Sequence, residues 1–339
     1  MKLRRLIPTL LTVGALSLAM TACGGGNTDE ETPTPTVTYP EPTGPLFTIG
    51  VAMYVEHPAL QAVQDGFEEV LKEQGINYSV VRESAAADSN NVATIASLFA
   101  ANSDMDLMLA IATPMALGIQ GAETQRPILF SAVTDPVQVG LVPSWEQAGV
   151  NITGTSDLNP EAKPVELVTQ AMPAVKNIGV LYSTSEPNSA IQVEAYKAEA
   201  AALGVELTVR GINSPNEIVT GLEALAGTEA ILIPTDNTIV EAIASVVAFG
   251  EEKKIPVFCA DNSTVELGTV ATRGLSYYDL GRRTGEMAVE ILRDGKPVSE
   301  IAPEATTETA LIVNLKAAER FGITLPDGLV AQAVEKITE

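Results

Sequence analysis

From Leu46 onward the chain repeats one alternation: a short apolar run, a stretch with apolar residues at helical spacing, then another apolar run. Phe47–Met53 reads as a first strand. The helix after it puts Leu60, Val63, Phe67, Val70 and Leu71 on one face and stops at Gly75, where positive φ is easily tolerated. Tyr78–Arg82 reads as a second strand and Val92–Ala101 as a second helix, with Asp88, Ser89 and Asn90 as caps. Leu107–Ala112 and Pro127–Val133 read as further strands, and Thr134–Asp157 as irregular. The cycle then restarts with helix Lys163–Met172, strand Ile178–Tyr182, helix Asn188–Leu203, strand Val205–Arg210, helix Glu217–Ala226, strand Ala230–Ile233, helix Asn237–Gly250 and strand Pro256–Cys259. A strand over Thr269–Leu275, a helix over Leu280–Leu292, a strand over Ala310–Asn314 and a short helix over Lys316–Arg320 complete the pattern.

Strands that alternate with helices predict an α/β protein whose parallel sheets carry helices on both faces. Two series of about four strands each predict two similar, Rossmann-like lobes.

The N-terminal segment breaks this pattern. Lys2, Arg4 and Arg5 precede an apolar run from Leu6 to Met20, and Met20-Thr21-Ala22-Cys23 follows. A basic start, a short apolar run and small residues before a cut make a secretory signal over 1–22. The run is too short for a confident membrane span. Cys23 stands where bacterial lipoproteins carry their acylated cysteine, so the lipidation expectation falls on Cys23. Residues 23–45, rich in Gly, Thr, Pro and Glu, read as a flexible tether. If Cys23 is acylated, Cys259 is left alone and no intrachain disulfide can form. Hydrophobic residues make up 46 % of the chain, which supports a large core. The net charge of −23 argues against nucleic acid and against anionic lipid surfaces.

In parallel sheets ligands bind beyond the carboxyl ends of the strands. Those ends are polar here. Tyr54, Val55 and Glu56 follow the first strand; Thr113 and Pro114 the third; Ser131, Thr134 and Asp135 close the fourth. In the second series come Tyr182, Ser183, Glu186, Asn188 and Ser189, then Thr235, Asp236 and Asn237, then Asp261 and Asn262. Helix N-termini suit a carboxylate, and Glu56, Asp135, Glu186, Asp236 or Asp261 suits an ammonium group. Together they fit a zwitterion such as an amino acid, and Tyr54 and Tyr182 offer rings for stacking. Each of these residues is equally suited to capping a helix.

Chemistry of other kinds has little support. The sequence has no G-x-G-x-x-G, no phosphate loop, no Cys/His metal spacing, one histidine and no G-x-S-x-G. No cofactor, metal or catalytic residue is expected.

Several of these segments, in order, resemble the tryptophan/tyrosine-type substrate-binding proteins of ABC transporters. They are Val55-Glu56-His57-Pro58-Ala59-Leu60, Ala110-Ile111-Ala112-Thr113-Pro114, Ala132-Val133-Thr134-Asp135-Pro136, Asn151-Ile152-Thr153-Gly154-Thr155-Ser156-Asp157, Gly179-Val180-Leu181-Tyr182, Pro234-Thr235-Asp236-Asn237 and Tyr277-Tyr278-Asp279-Leu280-Gly281. The loop Ala260-Asp261-Asn262-Ser263 departs from a Ser-Glu-Glu-like loop common in that family. The resemblance implies a type I periplasmic-binding fold, with crossings near Thr153–Asp157, Thr272–Leu275 and Ala302–Thr309. The lobes would then comprise 46–153 with 275–302 and 154–274 with 303–339. It further implies an extracytoplasmic, lipid-anchored monomer that binds an amino acid, aromatic among the candidates, by hinge closure and delivers it to an ABC permease. A sensor presenting its closed form to a receptor, and a secreted hydrolase using cleft carboxylates, are the competing functions.

Overall fold

The structure is a computed structural model that describes residues 38–306 and 308–338. The signal, Cys23 and most of the tether lie outside the described residues. The end of the tether is structured. The first strand, β1, spans Thr43–Met53, and the Tyr39 hydroxyl donates to Glu69 at 3.2 Å. The stretch expected to be free up to Pro45 is therefore partly docked, because Thr43 already pairs with Ile76.

The first half continues through α1 (Pro58–Glu73), β2 (Ile76–Ser84), α2 (Ser89–Ala101), β3 (Leu107–Ile111), α3 (Thr113–Ala122), β4 (Ile128–Ser131) and β5 (Ile152–Ser156). The expected face of α1 is buried, and Gly75 takes φ +64 just past its end. Asp88 caps α2 by accepting from the backbone of Asn90 at 2.7 Å. The second half runs α4 (Pro164–Ala171), β6 (Asn177–Ser183), α5 (Pro187–Leu203), β7 (Glu206–Ile212), α6 (Ile218–Glu223), β8 (Ala230–Ile233), α7 (Asn237–Glu241), α8 (Ile243–Lys253) and β9 (Val257–Cys259). Then follow β10 (Ala271–Gly274), α9 (Tyr277–Leu292), β11 (Glu304–Ala305), β12 (Ala310–Asn314), α10 (Leu315–Phe321), α11 (Asp327–Gln332) and β13 (Glu335–Ile337).

One parallel sheet has the order β11-β5-β4-β3-β1-β2, and a second has β7-β6-β8-β9. In both, the strand order reverses beside the first strand of the series, so the switch points fall at β1/β3 and β6/β8, where α/β sheets hold ligands. Residues Tyr39–Glu339 form one compact unit. Its apolar interior separates into two clusters, one from Ile49 to Ile152 joined by Leu275–Ile301, the other from Val165 to Ala271 joined by Leu311–Ala333.

Two further elements differ from the expected pattern. The stretch expected to be irregular contains β5, a buried strand of the first sheet. The helix expected over Asn237–Gly250 is broken at Ala242 into α7 and α8. Both lobe sheets are parallel as expected; a small third sheet, β10-β12-β13, adds one antiparallel pair, β10 with β12, because the chain leaves this region along β10 and returns along β12.

Helices α1 and α9 cross almost backbone to backbone. A Cβ on Gly281 would lie 1.9 Å from the Val63 carbonyl oxygen, and one on Gly66 would lie 2.1 Å from that of Tyr278. This contact fixes the start of α9, where Tyr277 enters the site described next.

Candidate functional site

The carboxyl ends of the two parallel sheets enclose a small polar cavity. It is bordered by His57 and Leu60 from the start of α1, Ala132 and Thr134 after β4, and Asp157 after β5. The second lobe contributes Asn188, Thr235, Asn237, Val240 and Asp261, and Tyr277 closes it. The backbone at this edge is strained. Ala112 and Ala132 follow β3 and β4 with φ +77 and +55, a conformation that costs a non-glycine residue roughly 1–2 kcal/mol.

Three buried polar atoms around the cavity have no hydrogen-bond partner: His57 Nδ1, Asp157 Oδ1 and Asn188 Oδ1. The other end of each side chain is engaged, which fixes its orientation. Asn188 Nδ2 donates to the Thr235 carbonyl at 2.9 Å, so its oxygen is the free end. Asp157 Oδ2 accepts from the Tyr277 hydroxyl at 3.2 Å. Asn237 Nδ2 donates to Glu186 at 2.5 Å, so Asn237 Oδ1 is the acceptor that faces His57 Nε2 at 3.3 Å. The proton of a neutral His57 then sits on Nε2, and Nδ1 is an acceptor. All three unpartnered atoms are thus acceptors, and they come from both lobes and from the segment between them.

The charge has one sign. Asp157, Glu186, Asp236 and Asp261 are all buried, and none takes part in an ion pair among the described residues. Burial pushes the Asp157 carboxyl up to about 6; the nearby hydroxyls of Thr134 and Tyr277 oppose the rise, and the charge of Asp261 adds to it. Asp236 lies well above the usual carboxylate range through burial and, next, the charge of Glu186.

Of the residues singled out in the sequence, Thr134, Asn188, Thr235, Asn237 and Asp261 border the cavity. The others have different surroundings. Tyr54 and Val55 are packed in the first apolar cluster, with the Tyr54 hydroxyl on the Ala87 carbonyl at 3.3 Å and burial pushing that phenol up to about 12. Glu56 is exposed, in a separate groove with Gln61 and Arg82. Thr113 and Pro114 begin α3, and Thr113 accepts from the Thr134 backbone at 3.4 Å. Ser131 belongs to a hydroxyl cluster inside the first lobe, 2.9 Å from Thr155 and 3.0 Å from Thr284. Asp135 accepts from Val137 and Gln138 in its own turn. Tyr182 is half-buried on β6, the Ser183 hydroxyl meets that of Ser185 at 2.8 Å, and Asn262 opens a short 3-10 turn. Ser189 is buried in the first turn of α5.

Two carboxylates proposed to receive an ammonium group are fully used as caps. Glu186 accepts from the backbones of Asn237 and Thr238 at 3.1 and 2.8 Å and from the Thr238 hydroxyl at 2.7 Å. Asp236 accepts from the backbones of Ile239 at 3.0 Å and Ser183 at 2.5 Å. Asp261 gives one oxygen to Ser263. Asp157, His57 and Tyr277 were not singled out as site residues, although each lies in a quoted motif.

This arrangement defines a binding protein with its site between two lobes, and comparison with known proteins supplies the family. Residues 48–337 match the ABC transporter substrate binding protein family, and the chain belongs to it. Its fold is that of the type I periplasmic binding proteins. Members of this family bind solutes outside the cytoplasm and are not enzymes. A tyrosine-binding protein of Clostridioides difficile is 37 % identical over 271 residues, 78 % of each chain. The ABC domain of Streptococcus pneumonia in complex with L-Trp is 34 % identical, with TM-score 0.83 over 86 % of this chain and 100 % of that one. The ligand-free, open structure of a substrate-binding protein with adhesive properties from Clostridium difficile has 37 % identity but a TM-score of only 0.63, over 86 % of this chain and 100 % of that one. Among the described residues no helix is long and apolar enough to cross a membrane.

Proposed function

We propose that this chain captures an amino acid with an aromatic side chain between its two lobes and delivers it to an ABC permease. The observation that carries the reading is the set of three unpartnered acceptors, His57 Nδ1, Asp157 Oδ1 and Asn188 Oδ1, around one buried anionic cavity. A primary ammonium has three N–H donors and one positive charge. It can donate to all three acceptors and supplies a positive charge to the buried carboxylates. The first turn of α1 has no side-chain cap, which leaves backbone N–H groups for the carboxylate. The aromatic side chain rests on the ligands named for the Clostridioides and Streptococcus relatives.

The solute draws on both lobes at once, so it favours the closed arrangement by its differential affinity for that state. A lipid on Cys23 would hold the monomeric domain near the permease and raise its effective concentration. In a thermal-shift screen, L-tyrosine or L-tryptophan at 100 times its dissociation constant should stabilise the protein by about 2.7 kcal/mol. The corresponding des-amino acids should give no shift. Equal stabilisation by a des-amino acid would remove the ammonium from the account.

A further inference from the structure

The polar cavity measures about 10 Å³, room for one water-sized group and no more. The rest of an amino acid must lie elsewhere. Next to it is a chamber of about 500 Å³ that shares Thr134, Asp157, Thr235 and Tyr277 as walls, well within the range of small-molecule sites. The remaining walls are largely apolar: Leu158 from the segment between the lobes, Ile191, Ala195 and Leu203 along one face of α5, and Leu275 after β10.

Resting on the amino-acid reading above, we propose that this chamber is the side-chain subsite, and that its α5 wall sets how large a side chain the protein accepts. Asp157 borders both spaces, so an ammonium on its free oxygen places the rest of the solute at the mouth of the chamber. Burying an aromatic ring against Leu158, Ile191 and Leu275 removes apolar surface from water on both sides. Asn159 also lines the chamber, and its buried Nδ2 has no partner. That amide offers a donor to a polar substituent on the ring, such as a phenol oxygen, whereas an indole N–H cannot accept it. The chamber lies on the side of α5 that faces the crossing segment and β10, so the solute would touch the very segments along which the chain passes between the lobes.

The test uses two substitutions on one helix. Ala195 is exposed and lines the chamber, so Ala195→Trp fills it without disturbing the core. Ala198 is exposed on the same helix and does not line it, so Ala198→Trp is the control. Calorimetric titration of the full domain with L-tyrosine and L-tryptophan should show binding weakened at least tenfold by Ala195→Trp and unchanged by Ala198→Trp. Wild-type affinity in Ala195→Trp, or equal losses in both variants, would overturn the chamber assignment while leaving the ammonium site standing. Failure of the wild-type domain to bind either amino acid would instead strike the function proposed above.

Discussion

Asp157→Asn is expected to cost the protein most of its amino-acid affinity, on the order of 100-fold, while leaving the ligand-free fold intact or more stable. Truncating one member of a buried, hydrogen-bonded charge pair costs about 2–5 kcal/mol. Asparagine keeps the shape and the contact to Tyr277 but not the charge that the solute's ammonium meets. The stability term runs the other way. The Asp157 carboxyl titrates at about 6 when buried, against an ordinary 3.8. The folded, ligand-free protein therefore holds this proton more tightly than the unfolded chain does. Its stability is undiminished below pH 3.8, and about 3 kcal/mol is lost as pH rises past 6. Calorimetric titration between pH 4.5 and 7.5 checks both effects. Wild-type affinity should fall by up to tenfold per unit below about pH 6, and Asp157→Asn should lose the part of that fall due to the carboxylate. A wild-type protein with pH-independent affinity would show that Asp157 does not receive the ammonium.

Gly281→Ala should be the most damaging small substitution outside the cavity. The new methyl would sit 1.9 Å from the Val63 carbonyl oxygen, and the obstacle is backbone on both helices, which cannot swing aside. Helices α1 and α9 must separate, at a cost of about 3 kcal/mol or more, which in a domain of this size lowers the melting temperature by about 6 °C or more. Because α1 presents His57 and α9 presents Tyr277, the surviving folded protein should also bind its solute more weakly. Thermal denaturation followed by circular dichroism measures the first effect. An unchanged melting temperature would mean that the helices do not cross this closely.

The alternation of apolar runs and amphipathic stretches made the two-lobed α/β design legible, because helix and strand periods differ and each strand is followed by its covering helix. What escaped has physical reasons. The strand β5 reads as Ile152-Thr153-Gly154-Thr155-Ser156, mostly polar, yet every residue is buried. Its hydroxyls are satisfied by distant partners: Thr153 donates to the Ile301 carbonyl at 2.6 Å, and Ser156 to that of Thr134 at 2.9 Å. Composition in a window cannot reveal such partners. Glu186 presents the same difficulty at the site. Read locally it precedes α5; in space it caps α7, about fifty positions further along the chain. Strand endings could be located from the pattern, but which of their polar groups are already consumed by capping depends on contacts between elements. His57, Asp157 and Tyr277 are the converse case, residues of unremarkable local pattern whose free or shared polar atoms matter because two lobes bring them together.

If one solute bridges both lobes and holds them closed, its binding must make the protein more compact. Small-angle X-ray scattering of the purified domain, without ligand and with saturating L-tyrosine or L-tryptophan, tests it most directly. An open ensemble is expected without ligand, and a smaller radius of gyration once the amino acid is bound. Saturation confirmed by calorimetry, with no change in the radius of gyration and no lobe movement, would contradict it.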